Sequence, residues 1–301
     1  YPKDKSKLPI SIVGSNYLRP ITYYEKKGSA QCKTCVMLAS LNTPGEMKIY
    51  AKRSRNHTEL MFKNINIPIK INNKKKFSLI KTSSPKELNG FDYNIPGDIS
   101  SGAFFIALTL LSKNSKLKLK NINLNPTRLG VLKILNKMGA RIKTKNTKTI
   151  KGEKCGDIIV KSNNKLRAIN CPTSLNSSAI DEFLIIFLLA AKSKGVSYFK
   201  ELSELNKKES PRLKLGSKIL NMIGIKTKLT DNTIKIYGNP NLRLDRKFEM
   251  KNYLKDHRIM AMCTIAALTL GGKWKIYDPD SINTSFPSFL KILRKSFGVK
   301  I

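Results

Sequence analysis

Apolar residues along this chain occur in a repeated order. Four segments, beginning at Gly28, Gly97, Ala179 and Lys255, each open with small or acidic polar residues and continue as an apolar run. Each run breaks at a turn, and a segment of alternating apolar and polar residues follows. A run of about three helical turns indicates a helix buried on most sides, and strict alternation indicates a half-buried strand. The clearest runs are AFFIALTLL, FLIIFLLAA and IMAMCTIAAL.

A second, more amphipathic helix is predicted after each of these segments. Gly139, Gly224 and Gly298 lie where the residue just beyond a helix end is expected. The repeating unit is therefore helix–strand–helix–strand, with an extra strand between copies. Its spacing of roughly 65–85 residues is too long for a solenoid, whose repeats span about 20–50. The pattern predicts a globular α/β fold in which helices pack together on one side of sheets.

The copies are divided unequally by a segment rich in Pro, Gly, Ser and Asn, residues 83–95, which reads as a linker. One copy precedes it and three follow. If copies group in threes, the first domain lacks its beginning, and Tyr1 in place of Met agrees with an incomplete chain. We therefore expect the end of a first domain over residues 1–95 and a complete second domain over residues 96–301.

Charge narrows the choice of partner only weakly. The chain carries 57 basic and 20 acidic residues, a net charge of +37, which favours anionic partners. The basic residues are scattered, however, and runs such as residues 72–76 look like solvated loops. Hydrophobic residues make up 41% of the chain, which is enough for a substantial core and excludes a disordered protein.

The cysteines and apolar stretches favour the cytoplasm. The longest uncharged apolar stretch, residues 259–272, is shorter than the roughly 20 residues of a spanning helix. The N-terminus lacks the apolar core of a signal peptide. Five cysteines form no regular framework, and only two histidines are present to complete a zinc site. We expect Cys32 and Cys35, which form a CxxC, to be packing residues on a helix face.

Polar residues recur at the starts of the predicted helices. Helix N-termini expose unpaired N–H groups and the positive end of a dipole, so several that converge form an anion site. Arginine is the side chain best suited to bind phosphate and carboxylate in two-point contacts. The candidates near these helix starts are Gln31, Arg55, Lys208, Arg212 and Arg258.

Each of these polar positions also has an ordinary structural explanation. Asp181 follows Ser178 with the spacing of a capping box, and Asp256 can cap a helix. Ser210 before Pro211 reads as an N-cap followed by proline at the first helical position. His57 reads as a packed or solvated residue of a first turn. Surface charge beside a helix would account for Arg128, Lys208, Glu209 and Arg258.

Eight short motifs follow one another in a fixed order. They are Ser29-Ala-Gln-Cys-Lys33, Arg55-Asn-His-Thr-Glu59, Pro96-Gly-Asp-Ile-Ser-Ser101, Asn125-Pro-Thr-Arg128, Ile180-Asp-Glu182, Lys208-Glu-Ser-Pro-Arg212, Asp256-His-Arg258 and Thr284-Ser-Phe-Pro287. From about Leu8 to Ile301 the chain thereby closely resembles the 5-enolpyruvylshikimate-3-phosphate (EPSP) synthase family. The resemblance implies a two-domain inside-out α/β barrel built from repeated βαβαββ units, with the first domain truncated and substrates in the cleft between domains. That fold agrees with the repeats.

The resemblance also implies an activity. The family, the 3-phosphoshikimate 1-carboxyvinyltransferases of the shikimate pathway, transfers the carboxyvinyl group of phosphoenolpyruvate to the 5-hydroxyl of shikimate 3-phosphate and releases phosphate. No metal or organic cofactor is implied, and we expect a cytoplasmic monomer without a specific nucleic-acid or membrane partner. By motif, shikimate 3-phosphate would be held by Ser29, Ala30, Gln31, Ser54 or Arg55, Asp181 and Lys208.

The same motifs imply the remaining roles. Arg212 and Arg258, with Gln31 shared, would clamp phosphoenolpyruvate. Asp181 would accept the proton of the hydroxyl, and Glu209 would transfer the proton at carbon with help from Lys208. One group must accept and another donate, so their surroundings must differ.

The chain departs from the family pattern in several places. Asn56 and Pro211 each replace a residue that is usually Asp, and Thr284 stands where some members have a substrate-binding Lys, so it is not assigned a role. The family's early Lys-Ser…Arg segment and its Asn-Ala-Gly-Thr loop are absent. Because those segments contact both substrates, we expect the 301 residues alone to be inactive.

Three alternatives stay open at this point. A UDP-N-acetylglucosamine 1-carboxyvinyltransferase shares the fold but lacks the KES-x-R and DHR stretches. A nucleic-acid binder would suit the charge, yet no known module is present and aromatic residues do not alternate with the basic ones. A non-catalytic truncated remnant of the enzyme would explain the abundance of Lys and Asn.

Overall fold

The computed structural model describes residues 9–162 and 165–298. Contacts divide the chain into an N-terminal unit, which ends at Asp92, and a C-terminal unit, which begins at Tyr93. This division falls within the segment that the sequence marks as a linker. Residues 84–96 form no helix or strand, and Gly97, which follows them, forms only an isolated bridge with Ile122. The proposed domain limits at residues 95 and 96 stay a prediction.

Over residues 9–92 the N-terminal unit contains two α-helices and one sheet. Its sheet has the strand order β1-β2-β4-β3, with β1 parallel to β2 and the other neighbours antiparallel. Met37, Ile49, Phe62 and Ile80 form the centre of its small core. In chain order the elements are β1 Thr22–Glu25, α1 Ala30–Ala39, β2 Glu46–Ala51, α2 His57–Asn64, β3 Ile69–Asn73 and β4 Ser78–Ser83.

The helices of the C-terminal unit form its core. Every residue of α6 is buried, as are most residues of α3 and α8, and these three helices pack against one another. The three apolar runs predicted as buried helices are thereby confirmed. The helices are α3 Ile99–Leu111, α4 Gly130–Lys137, α5 Asn176–Ala179, α6 Phe183–Ala191, α7 Arg212–Met222, α8 His257–Leu270 and α9 Phe289–Phe297.

In the part of this unit that the structure describes, three sheets pack on the helical core. The strands β5-β7-β6 and β8-β10-β9 form antiparallel sheets, and β11 pairs with β12 in parallel. Each buried helix packs on its own sheet, α3 on β5 and β7, α6 on β10, and α8 on β12. The strands are β5 Lys116–Asn123, β6 Arg141–Ile150, β7 Glu153–Lys161, β8 Gly195–Phe199, β9 Thr227–Leu229, β10 Ile234–Gly238, β11 Leu244–Met250 and β12 Gly271–Ile276.

The predicted repeat is visible in the order of these elements. A buried helix, a strand, a second helix and a further strand recur, and the extra strands β4, β7 and β10 lie between copies. In every copy the segment before the buried helix runs parallel to the strand after it, although in two copies only isolated bridges join them. The repeated α/β arrangement predicted from the sequence is confirmed.

Glycines end three of the amphipathic helices as predicted. Gly139, Gly224 and Gly298 have φ angles of 88°, 85° and 62°, which lie in the left-handed region that favours glycine. Gly298 is the C-cap of α9, whereas the prediction placed it one residue beyond the C-cap. The strand expected after α9 lies outside the described residues.

One packing prediction is wrong. Cys32 and Cys35 are both exposed, whereas Cys155, Cys171 and Cys263 are buried. Lys33 and Met37, one helical turn apart, occupy the inward face of α1, so the two cysteines fall on other faces.

Within the described ranges no single helix is both long and apolar enough to cross a membrane. The bent pair Thr173–Ala179 and Phe183–Ala191 reaches the threshold only when its two parts are counted together.

Candidate active site

Five of the predicted site residues lie together in the C-terminal unit. Asp181 lies in the turn between α5 and α6, and Lys208 and Glu209 lie just before α7. Arg212 is the first residue of α7, and Arg258 is the second residue of α8. The sequence thus places each side chain at or near a helix start, where backbone N–H groups are unpaired.

Arg212 is the centre of this cluster. Its Nε lies 2.8 Å from Asp256 Oδ2 and its Nη2 donates to Asp256 Oδ1 at 3.2 Å, a two-point contact. Its Nη2 also lies 2.6 Å from Glu209 Oε2. Only 1% of its surface is exposed, and its buried Nη1 has no hydrogen-bond partner within the described part of the chain. Nη1 faces Asp181 Oδ1 at 3.6 Å, so an unused donor points towards the proposed base.

The second half of the cluster surrounds Asp181. Lys208 Nζ lies 3.2 Å from Asp181 Oδ1. Arg258 Nη1 donates to the backbone carbonyl of Asp181 at 2.9 Å. Three cations from two chain segments therefore surround one aspartate, with Lys208 and Arg212 at its carboxylate and Arg258 at its backbone carbonyl. Cationic donors suited to an anionic ligand are thus gathered in one place.

Asp256 connects the starts of α7 and α8. It is fully buried and accepts hydrogen bonds from the Ser210 hydroxyl at 2.7 Å and from the Arg258 backbone N–H at 2.9 Å. Burial alone would raise the pKa of Asp256, but the hydrogen bonds and charge of Arg212, with those from Ser210 and Arg258, hold the pKa below its usual value. Burial and the neighbouring Arg258 lower the pKa of His257.

Of the three helix-capping explanations for these residues, the structure confirms one and contradicts two. Asp256 does cap α8. The capping box is absent, because the Ser178 hydroxyl donates to the Leu175 carbonyl. The prediction that Ser210 is the N-cap is wrong. The Ser210 hydroxyl donates a hydrogen bond to the buried Asp256. Pro211 occupies the N-cap position of α7 instead of the first helical position.

A neighbouring network joins the starts of α3 and α6. Asp98 caps α3 by accepting from the Ser101 backbone N–H. Arg128 Nη2 donates to Asp98 Oδ1 at 2.7 Å and to the Ser100 hydroxyl at 2.6 Å, and Ser100 donates to Glu182. Glu182 and Ser100 were not predicted as site residues, although both lie within motifs. Their role depends on a contact between distant segments.

The remaining predicted residues lie in the N-terminal unit. Ser29 caps α1 by accepting from the Cys32 backbone N–H, and Ala30 and the exposed Gln31 begin that helix. The Ser54 hydroxyl is buried without a hydrogen-bond partner in the described residues.

Lys33 ties the starts of α1 and α2 together. Its Nζ donates to the Arg55 carbonyl at 2.8 Å and forms a buried ion pair with Glu59 Oε1 at 2.5 Å. The hydroxyls of Thr34 and Thr58 add a second bond at 2.6 Å. Ser29, Gln31 and Arg55 are thereby brought to neighbouring helix starts. Lys33, absent from the predicted site, supports this arrangement.

Two of the departures from the family pattern have a local outcome. Asn56 occupies the N-cap position of α2 without a side-chain capping bond. The Thr284 hydroxyl donates to the Ser281 carbonyl at 2.9 Å. Thr284 therefore satisfies its hydroxyl locally, and it still receives no role.

Helix starts that gather cations and carboxylates on repeated α/β segments define an α/β protein suited to anionic ligands. The model of the family described as EPSP synthase (3-phosphoshikimate 1-carboxyvinyltransferase) matches residues 1–293. The chain belongs to the EPSP synthase family. The family resemblance drawn from the eight motifs is confirmed.

Individual relatives agree. Proteins named 3-phosphoshikimate 1-carboxyvinyltransferase from Petrotoga mobilis and Thermodesulfovibrio yellowstonii are 35% and 36% identical, over 95% and 96% of this chain. The match takes in 65% and 66% of the full lengths of these two relatives, so this chain spans about two thirds of each.

Solved structures confirm the fold class. An EPSP synthase from Acinetobacter baumannii matches 92% of this chain and 62% of its own, with a TM-score of 0.82 and 30% identity. The enolpyruvyl transferase NikO from Streptomyces tendae, at 15% identity and a TM-score of 0.70, shares the fold. The α/β fold predicted from the motifs, an EPSP synthase-like one, is therefore confirmed.

Proposed function

We propose that the protein transfers the carboxyvinyl group of phosphoenolpyruvate to the 5-hydroxyl of shikimate 3-phosphate, giving 5-enolpyruvylshikimate 3-phosphate and phosphate. Family membership supports this proposal. The structural observation that carries it is the convergence of Lys208, Arg212 and Arg258 on Asp181. Each substrate brings a phosphate and a carboxylate, and such a cluster supplies the opposite charge.

Substrate binding divides between the two sets of residues. Arg212, Arg258 and Gln31 would clamp phosphoenolpyruvate, and the donor at Arg212 Nη1 is available for one of its oxygens. Shikimate 3-phosphate would be held by Asp181 and Lys208 and, from the N-terminal unit, by Ser29, Ala30, Gln31 and Ser54 or Arg55. Two anions held in fixed orientation lower the entropy cost of the reaction.

The reaction is an addition followed by an elimination. Asp181, which pairs with Lys208 at 3.2 Å, accepts the proton of the 5-hydroxyl as the hydroxyl oxygen attacks C2 of phosphoenolpyruvate. Glu209 delivers a proton to the methylene carbon, with Lys208 assisting. The adduct then loses a proton from the new methyl group as the C–O bond to phosphate breaks and phosphate departs.

Glu209 needs a change of surroundings for this role. Its carboxylate is half exposed and is held by Arg212 Nη2 at 2.6 Å. A substrate carboxylate that takes over Arg212 would release Glu209 from this pair. Substrate binding would thereby prepare the proton donor.

Two alternatives are less well supported. The matching relatives are named 3-phosphoshikimate 1-carboxyvinyltransferase, which disfavours UDP-N-acetylglucosamine as the acceptor. The complete cluster around Asp181 disfavours a non-catalytic remnant. We also propose that the protein is a monomer. We further propose that it lies in the cytoplasm, which the five free cysteines support.

Titration calorimetry on this chain tests the proposal. We expect saturable binding of shikimate 3-phosphate that phosphoenolpyruvate strengthens, and Lys208→Met should weaken it at least tenfold because one charged contact is lost, about 1.5–3 kcal/mol. Lys218→Met, an exposed change farther along α7, is the matched control. Phosphate release with both substrates measures turnover, and we expect the 301 residues alone to show none, because they lack the family's early Lys-Ser…Arg segment and its Asn-Ala-Gly-Thr loop.

Two results would count against this function. UDP-N-acetylglucosamine binding in place of shikimate 3-phosphate would favour the related transferase. Equal losses in Lys208→Met and Lys218→Met would mean that the cluster does not bind the ligand.

A further inference from the structure

The network at Glu182 is built from three separate chain segments. Glu182 is 2% exposed and precedes α6. The Ser100 hydroxyl, near the start of α3, donates to its Oε1 and accepts from Arg128 Nη2. Arg128 also holds Asp98, the N-cap of α3. Ser100 is therefore oriented by one hydrogen bond that it accepts and another that it donates.

This network ends beside the proposed base. Glu182 directly follows Asp181, whose carbonyl accepts from Arg258. Asp181 lies in the turn after the four-residue α5, so the regular bonding of a long helix does not hold it. The position of its backbone therefore depends on its neighbours, and Glu182 is anchored immediately next to it.

The repeated unit uses the same device twice. Arg212 is the first residue of α7, and Arg128 lies two residues before α4. Arg212 joins Asp181 of its own copy to Asp256 of the next. Arg128 likewise joins Asp98 of its own copy to Glu182 of the next through Ser100. An arginine near the second helix of one copy thus connects two successive buried-helix starts. This recurrence indicates a function in alignment and not in packing alone.

A simple packing role would not require a carboxyl group at this position. Burial raises the pKa of Glu182, although Arg258, Ser100 and Arg128 each act to lower it. A buried carboxyl group is unfavourable unless hydrogen bonds and charges offset its desolvation. Glu182 has these partners, and each of them belongs to a helix start near the cluster.

We infer that Glu182, held by Ser100 and Arg128, is a positioning residue that fixes the backbone at Asp181 and so aims the Asp181 carboxylate. This inference rests on the proposed function in one respect, because Asp181 is the proposed proton acceptor. The physical claim concerns the position of Asp181 and is measurable without substrate. A misplacement of about 1 Å at a reacting group lowers rates by up to about a hundredfold.

Carbon-13 NMR of aspartate carboxyl groups tests the positioning directly. Asp181 would be assigned with Asp181→Asn in the full chain. We expect Ser100→Ala to move the Asp181 carboxyl resonance. The matched control Ser217→Ala should leave it in place, because this buried serine of α7 bonds to Thr227 at 2.7 Å and forms no hydrogen bond to the network within the described residues. An unchanged Asp181 signal in Ser100→Ala, or an equal shift in Ser217→Ala, would overturn the inference.

Ligand binding gives a second readout. Ser100→Ala and Glu182→Gln are each expected to weaken shikimate 3-phosphate binding about tenfold, the effect of losing one hydrogen bond of roughly 1.4 kcal/mol. Because they act through one chain of bonds, the double variant should bind no more weakly than the weaker single variant. Multiplying losses would overturn the inference. A shifted Asp181 signal in a protein that binds neither substrate would reject the proposed function and leave the positioning role standing.

Discussion

Arg212 and Asp256 form a buried pair whose members were both near predicted helix starts. The sequence indicated Arg212 as an anion ligand and Asp256 as a helix cap, and the structure shows that each also neutralises the other. A helix cap can be read from neighbouring residues, because it depends on bonds within one turn. The ion pair joins residues 44 positions apart and depends on how the copies pack.

Removing one member of this pair should be strongly destabilising. We expect Asp256→Asn to lower the free energy of unfolding at neutral pH by up to about 3–5 kcal/mol, because the buried Arg212 would lose its two-point partner. It would keep only the half-exposed Glu209 and Asp181 at 3.6 Å as counter-charges. Urea unfolding followed by fluorescence of Trp274, the single tryptophan, measures this in the C-terminal unit. Exposed Asp245→Asn is the control. The pKa of Asp256 is lowered by folding, so the wild-type advantage should disappear as pH falls below about 4.

At the scale of elements, Asp157 organises the sheet β5-β7-β6. It accepts from the Asn121 backbone N–H at 3.1 Å on one side and from Asn146 Nδ2 at 2.9 Å on the other. Both asparagines have left-handed backbones, with φ of 49° and 50°, where the pairing register shifts. One carboxylate of the central strand therefore stabilises irregularities in both neighbours. Alternating hydrophobicity predicted these strands, but it carries no signal for the shifts.

Acid should weaken this sheet through Asp157. Lys118, the Asn121 N–H and Asn146 lower the pKa of Asp157 to about 2. A lowered pKa in the folded state means that the stabilisation is complete above the unfolded value, about 3.9, and is lost as pH falls towards 2. Melting temperatures from pH 5 to pH 2 should therefore fall more steeply in the wild type than in Asp157→Asn. If the melting temperatures of the wild type, of Asp157→Asn and of the exposed control Asp231→Asn all fell in parallel, this assignment would be contradicted.

At the scale of the molecule, the two units differ greatly in core size. Among described residues, six buried apolar side chains form the core of the N-terminal unit, whereas 55 form that of the C-terminal unit. A small core rarely offsets the entropy of ordering its chain. The difference predicts unequal independence of the two units.

Expressed separately, residues 93–301 should fold and residues 1–92 should not. Far-ultraviolet circular dichroism with urea should show a cooperative transition for the first fragment, and Trp274 fluorescence should report the same transition. The second fragment should show gradual loss of signal without a sharp midpoint. A cooperative transition in residues 1–92 would show that six buried side chains and one sheet suffice.

Local patterns determined the elements of this protein, their fourfold repetition and the polar helix starts, because helix and strand periodicity and capping depend on residues a few positions apart. The motif order determined the family. Only the tertiary structure decided which groups meet. Ser100 bonds to Glu182 across 82 positions, and the Ser210 hydroxyl bonds to Asp256 instead of capping a helix. It also decided that Cys32 and Cys35 are exposed. The physical reason is that such contacts arise when separate copies pack together, and that packing follows from the topology of the whole chain.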